Sequence, residues 1–156
     1  MDRLFGLSKD AFIYDADTYK QIPIRIMPEA PITPLGSIDG NSLFFERITN
    51  NTIPMKHITY KSETGLLLGL RLTENTVVLS YNNRTNTTES SEVKNLHIGD
   101  ILYSDKDLFG SNKFILQSII DIEPEDVVYT VYNTGSSQQT ILVNGISIVL
   151  PKGVCI

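Results

Sequence analysis

The chain has no tryptophan, one cysteine and two histidines in 156 residues, and each shortage removes a class of chemistry. Cys155 has no second cysteine to pair with, so no internal disulfide is expected. Its next-to-last place also misses the prenylation pattern, which puts cysteine fourth from the end. It reads as a tail residue or as an intermolecular thiol. A metal site draws several His, Cys or carboxylate ligands together, whereas His57, His97 and Cys155 stand at no ligand spacing. No metal and no cofactor is therefore expected. His57 falls in an alternating stretch and His97 beside Leu96 and Ile98, which marks both as ordinary strand-edge or surface histidines. Neither G-x-S-x-G, nor the Walker pattern, nor G-x-G-x-x-G occurs, so triad hydrolysis and nucleotide hydrolysis lack sequence support. The carboxylates Glu123, Glu125 and Asp126 surround Pro124 and read as a solvated turn, as do Asp15 and Asp17 in YDADT.

Clustered positive charge is missing as well. Thirteen Lys and Arg face eighteen Asp and Glu, for a formal net charge of -5. Nucleic-acid binding draws most of its affinity from basic clusters, so a nucleic-acid partner is not expected. The longest apolar runs, near Leu66–Leu70 and Ile141–Leu150, fall well short of the roughly 20 residues of a membrane-spanning helix, so no membrane partner is expected either. MDRLFGLSKDAF carries no signal-peptide pattern, which makes a reducing compartment, inside a cell or within an assembled particle, the expectation. The sequons at Asn50, Asn83 and Asn86 then count as polar loop residues.

What remains is ordinary globular material, 41% hydrophobic and 20% charged, in a length that suits one domain over 1–156. Strand-like runs recur at Ala11–Tyr14, Gln21–Met27, Ser42–Arg47, His57–Lys61, Leu66–Leu72, Thr76–Tyr81, Ile101–Tyr103, Lys113–Ile122, Val127–Tyr132, Gln139–Val143 and Ile146–Leu150. No window sustains the helical apolar spacing for more than about two turns. The fold class is all-β. Asn144-Gly145, set between ILV and ISIVL, predicts a two-residue hairpin turn with positive φ. Pro28–Gly40, with Pro28, Pro31 and Pro34, is expected to run as an extended loop or arm that separates an N-terminal strand pair from the body. Asn82–Glu92 is expected as a long exposed polar loop, and 151–156 as a C-terminal tail.

Four segments, in order, resemble the Hint family, the fold shared by inteins and the hedgehog autoprocessing domain. GLSKDAFIYDADTYKQIPI from Gly6 looks like the opening strand pair, and LGLRLTENTVVL from Leu68 like the block where a strand leads into T-x-x-H. VKNLHIGDILY from Val93 is similar to the family's Gly-Asp stretch, and VVYTVYNTGSSQQTILVNGISIVL from Val127 to its closing strands ending in Asn-Gly-Ile. The resemblance implies a compact, pseudo-symmetric β domain. It also implies losses. The nucleophile position falls on Gly6, the Asp-Thr pair on Asp10-Ala11, and the T-x-x-H block keeps Thr73 but has Thr76 in place of the histidine. The later histidine aligns with Gln139 and the terminal His-Asn pair with Val149-Leu150. Self-cleavage needs an attacking side chain and imidazoles to move protons, so the resemblance implies the scaffold without splicing. Ser8 and Cys155 are the displaced hydroxyl and thiol nearest in kind, and neither occupies the family's position.

Three functions follow as expectations. The first is a non-catalytic structural or protein-interaction module, with a protein partner or further copies of itself, such as a coat or scaffold subunit. The second is a degenerate autoprocessing domain with residual self-cleavage. The third is a small-ligand binder using a barrel mouth lined by Tyr60, Tyr81, Tyr103 and Tyr129.

Overall fold

The computed structural model describes residues 4–108, 110–151 and 153, so Cys155 and most of the expected tail lie outside the described residues. In chain order the strands are β1 (Leu7–Ser8), β2 (Phe12–Tyr14), β3 (Gln21–Pro23), β4 (Leu43–Ile48), β5 (Met55–Ser62), β6 (Leu67–Thr73), β7 (Val77–Asn82), β8 (Thr87–Glu92), β9 (Ile101–Tyr103), β10 (Lys113–Ile122), β11 (Val128–Asn133), β12 (Gln139–Val143) and β13 (Ile146–Leu150). They form one continuous sheet in the order β3-β2-β12-β13-β7-β9-β10-β5-β6-β1-β11-β4, with β8 added on β7. Every named pairing is antiparallel. The only helical elements among the described residues are three short 3-10 turns.

Period-two burial explains why the sheet curls around a single main core. Along β5, Ile58, Tyr60 and Ser62 turn inward while the residues between them face out. Tyr60 meets Phe114 of β10 edge-on, with ring centroids 5.6 Å apart. Removing side chains of this size from water stabilises by roughly 1.5–3 kcal/mol each. The closing pair is buried on both faces: all of β13 and most of β12 are inaccessible, which is why their sequences read as unbroken apolar runs. Between them Asn144 and Gly145 take φ of 46° and 89°, the expected turn.

Three expectations are corrected. Asn82–Glu92 is a hairpin and not a loop: Thr87–Glu92 pairs residue by residue with Val77–Asn82, and the turn closes with Asn86 at φ 53°. Backbone ladders need no apolar side chains, so a Thr/Ser/Glu strand with no buried residue leaves no hydrophobic signal. Gln21–Met27 is a strand only to Pro23, after which Ile24–Ile26 coils into a 3-10 turn that buries Ile24. Pro28–Gly40 is irregular, as expected, but it is bound to the body and does not stand off from it. Leu35 is buried, its N–H donates to the Tyr14 carbonyl at 2.8 Å, and its own carbonyl accepts from Leu142 N–H at 3.0 Å. The two-residue strand β1 leaves no mark in the sequence because two residues carry no period.

Candidate functional site

β1 is short but central. Leu7 pairs with Leu72 of β6 on one side and with Tyr129 of β11 on the other, so Gly6, just before it, enters the middle of the sheet. There the Gly6 N–H donates to the Thr73 hydroxyl at 2.9 Å, and the Thr73 N–H donates back to the Gly6 carbonyl at 2.9 Å. Thr73 and Thr76 hydroxyls lie 3.0 Å apart, and both residues are wholly buried. The structure thus brings Gly6, Thr73 and Thr76 into one hydrogen-bonded centre across 67 residues of sequence.

That centre has no room for a side chain on Gly6. A Cβ there would lie 2.7 Å from Cβ of Val128 and closer still to its Cγ2, distances that real Cβ atoms do not adopt. Val128, the first residue of β11, fills the space that a side chain at position 6 would need. Beside the centre, Phe5, Asn75, Val149 and Pro151 line an open cleft of about 380 Å³.

The other aligned residues have different surroundings. Val149 and Leu150 are buried on β13, and Leu150 sits directly opposite Gln139 in the β12–β13 ladder. Gln139 acts as a pin. Its Oε1 accepts from the N–H groups of Ile38 and Asp39 at 2.9 and 2.8 Å, while its Nε2 donates to Ser42 Oγ at 2.7 Å and Asn133 Oδ1 at 3.2 Å. A full set of partners on a buried amide makes this a structural bolt that ties the proline-rich loop to the core. Ala11 is buried in the turn after β1, where its N–H donates to the Ser8 carbonyl and its carbonyl accepts from Ile24 N–H.

A second polar centre, absent from the sequence reading, lies on the other flank of β1. Ser8 Oγ donates to Glu125 Oε1 at 2.9 Å; Glu125 Oε2 lies 3.6 Å from Arg71 Nε, and Arg71 also pairs with Asp10. Ser8 is buried, Glu125 half-buried, and Arg71 and Asp10 are open to water. Glu125, read from sequence as part of a solvated turn, is therefore a ligand of Ser8. No local signal exposes this, because the two residues are 117 positions apart. His57 stands opposite Arg71 in the β5–β6 ladder and lines a small cleft with Ser8, Asp10 and Arg71. His97 lies elsewhere, its N–H capped by the Asp100 carboxylate at 2.8 Å. No group of three potential metal ligands occurs among the described residues.

The tyrosines do not form a mouth. Tyr60 and Tyr129 are in the core, and Tyr60 OH donates to the Asn144 carbonyl at 2.5 Å. Complete burial pushes the Tyr60 phenol well above its usual pKa, with the nearby Tyr14 adding to the shift. Burial likewise raises Tyr14 to about 12. Tyr81 and Tyr103 stack on each other at 5.7 Å, with the Lys113 ammonium 3.9 Å over the Tyr81 ring.

A scan of the sequence against family models and against curated proteins gives no match. Solved structures do match. An Ssp DnaB mini-intein variant superposes with a TM-score of 0.67 at 16% identity, covering 96% of this chain and 97% of that one. The DnaB intein from Synechocystis sp. PCC 6803 gives 0.61 at 15% identity over 94% and 99% of the two chains. A KlbA intein precursor from Methanococcus jannaschii gives 0.57 at 12% identity over 98% and 95%. Likeness over nearly the whole length of both partners, at identities this low, is a statement about the path of the backbone: the chain has the Hint-type fold of the inteins.

Proposed function

We propose that this chain is a Hint-fold module that does not cut its own backbone and works by binding protein, as a partner-recognition or assembly subunit. The observation that carries the reading is Gly6. If Gly6 holds the nucleophile position, as the resemblance implies, the attacking atom is missing and its space is taken by Val128. Thr76 then stands where an imidazole would donate a proton, and a hydroxyl hydrogen-bonded to Thr73 does not titrate near neutrality. Val149 and Leu150 supply neither an imidazole nor a side-chain amide able to cyclise. Free strand edges favour a binding role: among the described residues β3, β4 and β8 each pair on one side only, so each leaves backbone donors and acceptors for an added strand.

A second reading, residual self-cleavage, rests on Ser8. Its hydroxyl would attack the Leu7 carbonyl carbon, its proton passing to Glu125 and on to the departing Ser8 nitrogen, to leave an ester that water then opens. Against it stand the 1% exposure of Ser8 and the pairing of Leu7 on both sides.

The test is intact-mass measurement on the chain tagged at both ends, after long incubation with and without a thiol. An unchanged mass in both conditions supports the binding module. A product ending at Leu7, abolished by Ser8→Ala, overturns it.

A further inference from the structure

On an acidic chain, a local gathering of unpaired cations is the exception that points to a ligand. Lys9, Arg25, Arg47 and Arg71 line one cleft of about 500 Å³. They come from the turn after β1, the 3-10 turn after β3, and strands β4 and β6, so the tertiary fold assembles them. Three carboxylates share the cleft: Asp10, Glu125 and Asp126. Asp10 and Glu125 both pair with Arg71, which holds it in place and leaves that trio one negative charge in excess. Lys9, Arg25 and Arg47 are exposed and make no ion pair among the described residues, so the cleft's four cations exceed its three carboxylates by one and the three outside the Arg71 cluster stay open to a ligand.

We propose that this cleft binds an acidic peptide segment of a protein partner, its carboxylates taken by Arg25 and Arg47 with Lys9 beside them. This rests on the binding-module reading above and gives it a ligand. Guanidinium groups suit the task because their planar fork pairs with a carboxylate through two parallel hydrogen bonds. Arg47 also sits on β4, whose outer edge has no partner strand among the described residues, so a segment arriving in extended form can hydrogen-bond to that edge while its acidic side chains reach the cleft. A nucleic-acid strand fits poorly: it needs a basic track longer than one cleft, and a molecule of net charge -5 repels it beyond that cleft.

The probe is a fluorescein-labelled six-residue peptide of alternating Glu and Val, followed by anisotropy on the intact chain at low salt. The comparisons are the Gln-for-Glu peptide, inorganic phosphate as competitor, and a single-stranded oligonucleotide of matched charge. The acidic peptide should bind and the Gln peptide should not. Arg25→Gln with Arg47→Gln should weaken binding about tenfold, the combined effect of losing two solvent-exposed ion pairs. A control pair that does not line the cleft, Arg84→Gln with Lys106→Gln, should change nothing, and both variants should keep the parent's unfolding midpoint. Equal binding of the Gln peptide, equal loss in the control pair, tighter binding of the oligonucleotide, or full competition by phosphate at concentrations equal to the peptide's would each overturn the proposal. Mass measured on the same samples separates this from the parent reading: a cleaved chain that still binds the peptide sinks the non-cleaving reading and leaves the acidic-peptide site standing.

Discussion

Two polar centres flank the two-residue strand β1, and they follow opposite rules. The centre of Gly6, Thr73 and Thr76 is sealed: its threonines are buried, its hydrogen bonds are mutual, and Val128 closes the remaining space. The centre of Ser8, Glu125, Arg71 and Asp10 runs from a buried hydroxyl out to exposed charges, and it opens on the cationic cleft. In the first, polar groups satisfy one another and hold strands together. In the second, the inner pair does that work while the outer charges remain available to a ligand. Changes to the sealed centre should therefore be read in stability, and changes to the open one in binding.

The largest effect should come from forcing a side chain into the sealed centre. Gly6→Cys should destabilise the chain by about 3 kcal/mol, because the new Cβ overlaps Val128. Val128→Ala in the same chain should recover part of that loss, a coupling expected of residues in contact. Urea unfolding of the two single variants and the double variant measures it, and a Gly6→Cys chain as stable as the parent would show the centre to be open. The double variant with Thr76→His added also restores both the nucleophile and the imidazole that the resemblance calls for. Cleavage ahead of residue 6 in that triple variant, and in neither simpler chain, would show that the fold can cut its backbone once it carries the groups that the resemblance calls for.

Next in size is Thr73→Val, which keeps the side-chain shape but leaves the buried Gly6 N–H without an acceptor. It should cost about 2 kcal/mol, measured the same way. In the open centre, Arg71→Gln should cost less than about 1 kcal/mol, because the Arg71–Asp10 pair is exposed and screened. A loss as large as that of Thr73→Val would erase the distinction between the centres.

At neutral pH the smallest response comes from the buried phenols, and it appears only on raising the pH. Folding raises the Tyr14 pKa from 10.0 to about 12 and also pushes that of Tyr60 well up, in both cases chiefly through burial. A raised folded-state pKa means that the neutral form is favoured in the fold. Stability is then full below pH 10 and falls as pH climbs toward 12. Tyr14→Phe should flatten that fall in a pH series of unfolding midpoints, and an unchanged slope would remove Tyr14 as its source.

Legibility followed burial. The β12–β13 hairpin was readable because both strands are apolar and Asn144-Gly145 is a turn with a steric reason. The β7–β8 hairpin was not, although its ladder is longer, because Thr87–Glu92 buries nothing and backbone pairing writes no pattern into side chains. Gly6, Thr73 and Thr76 were nameable one by one through their resemblance to motif positions, while Val128, which closes their centre, had no feature to single it out. Glu125 was visible only as one acidic residue of a turn.

The sequence by itself determined the all-β class, most strand positions and the closing turn, because period-two burial and turn sterics act between neighbours. Which residues meet was decided by the tertiary structure alone. The pairing of Ser8 with Glu125, the filling of Gly6's side-chain space by Val128, and the gathering of Lys9, Arg25 and Arg47 in one cleft all depend on how a curled sheet brings distant strands together, and contact across a sheet leaves no trace in the local order of residues.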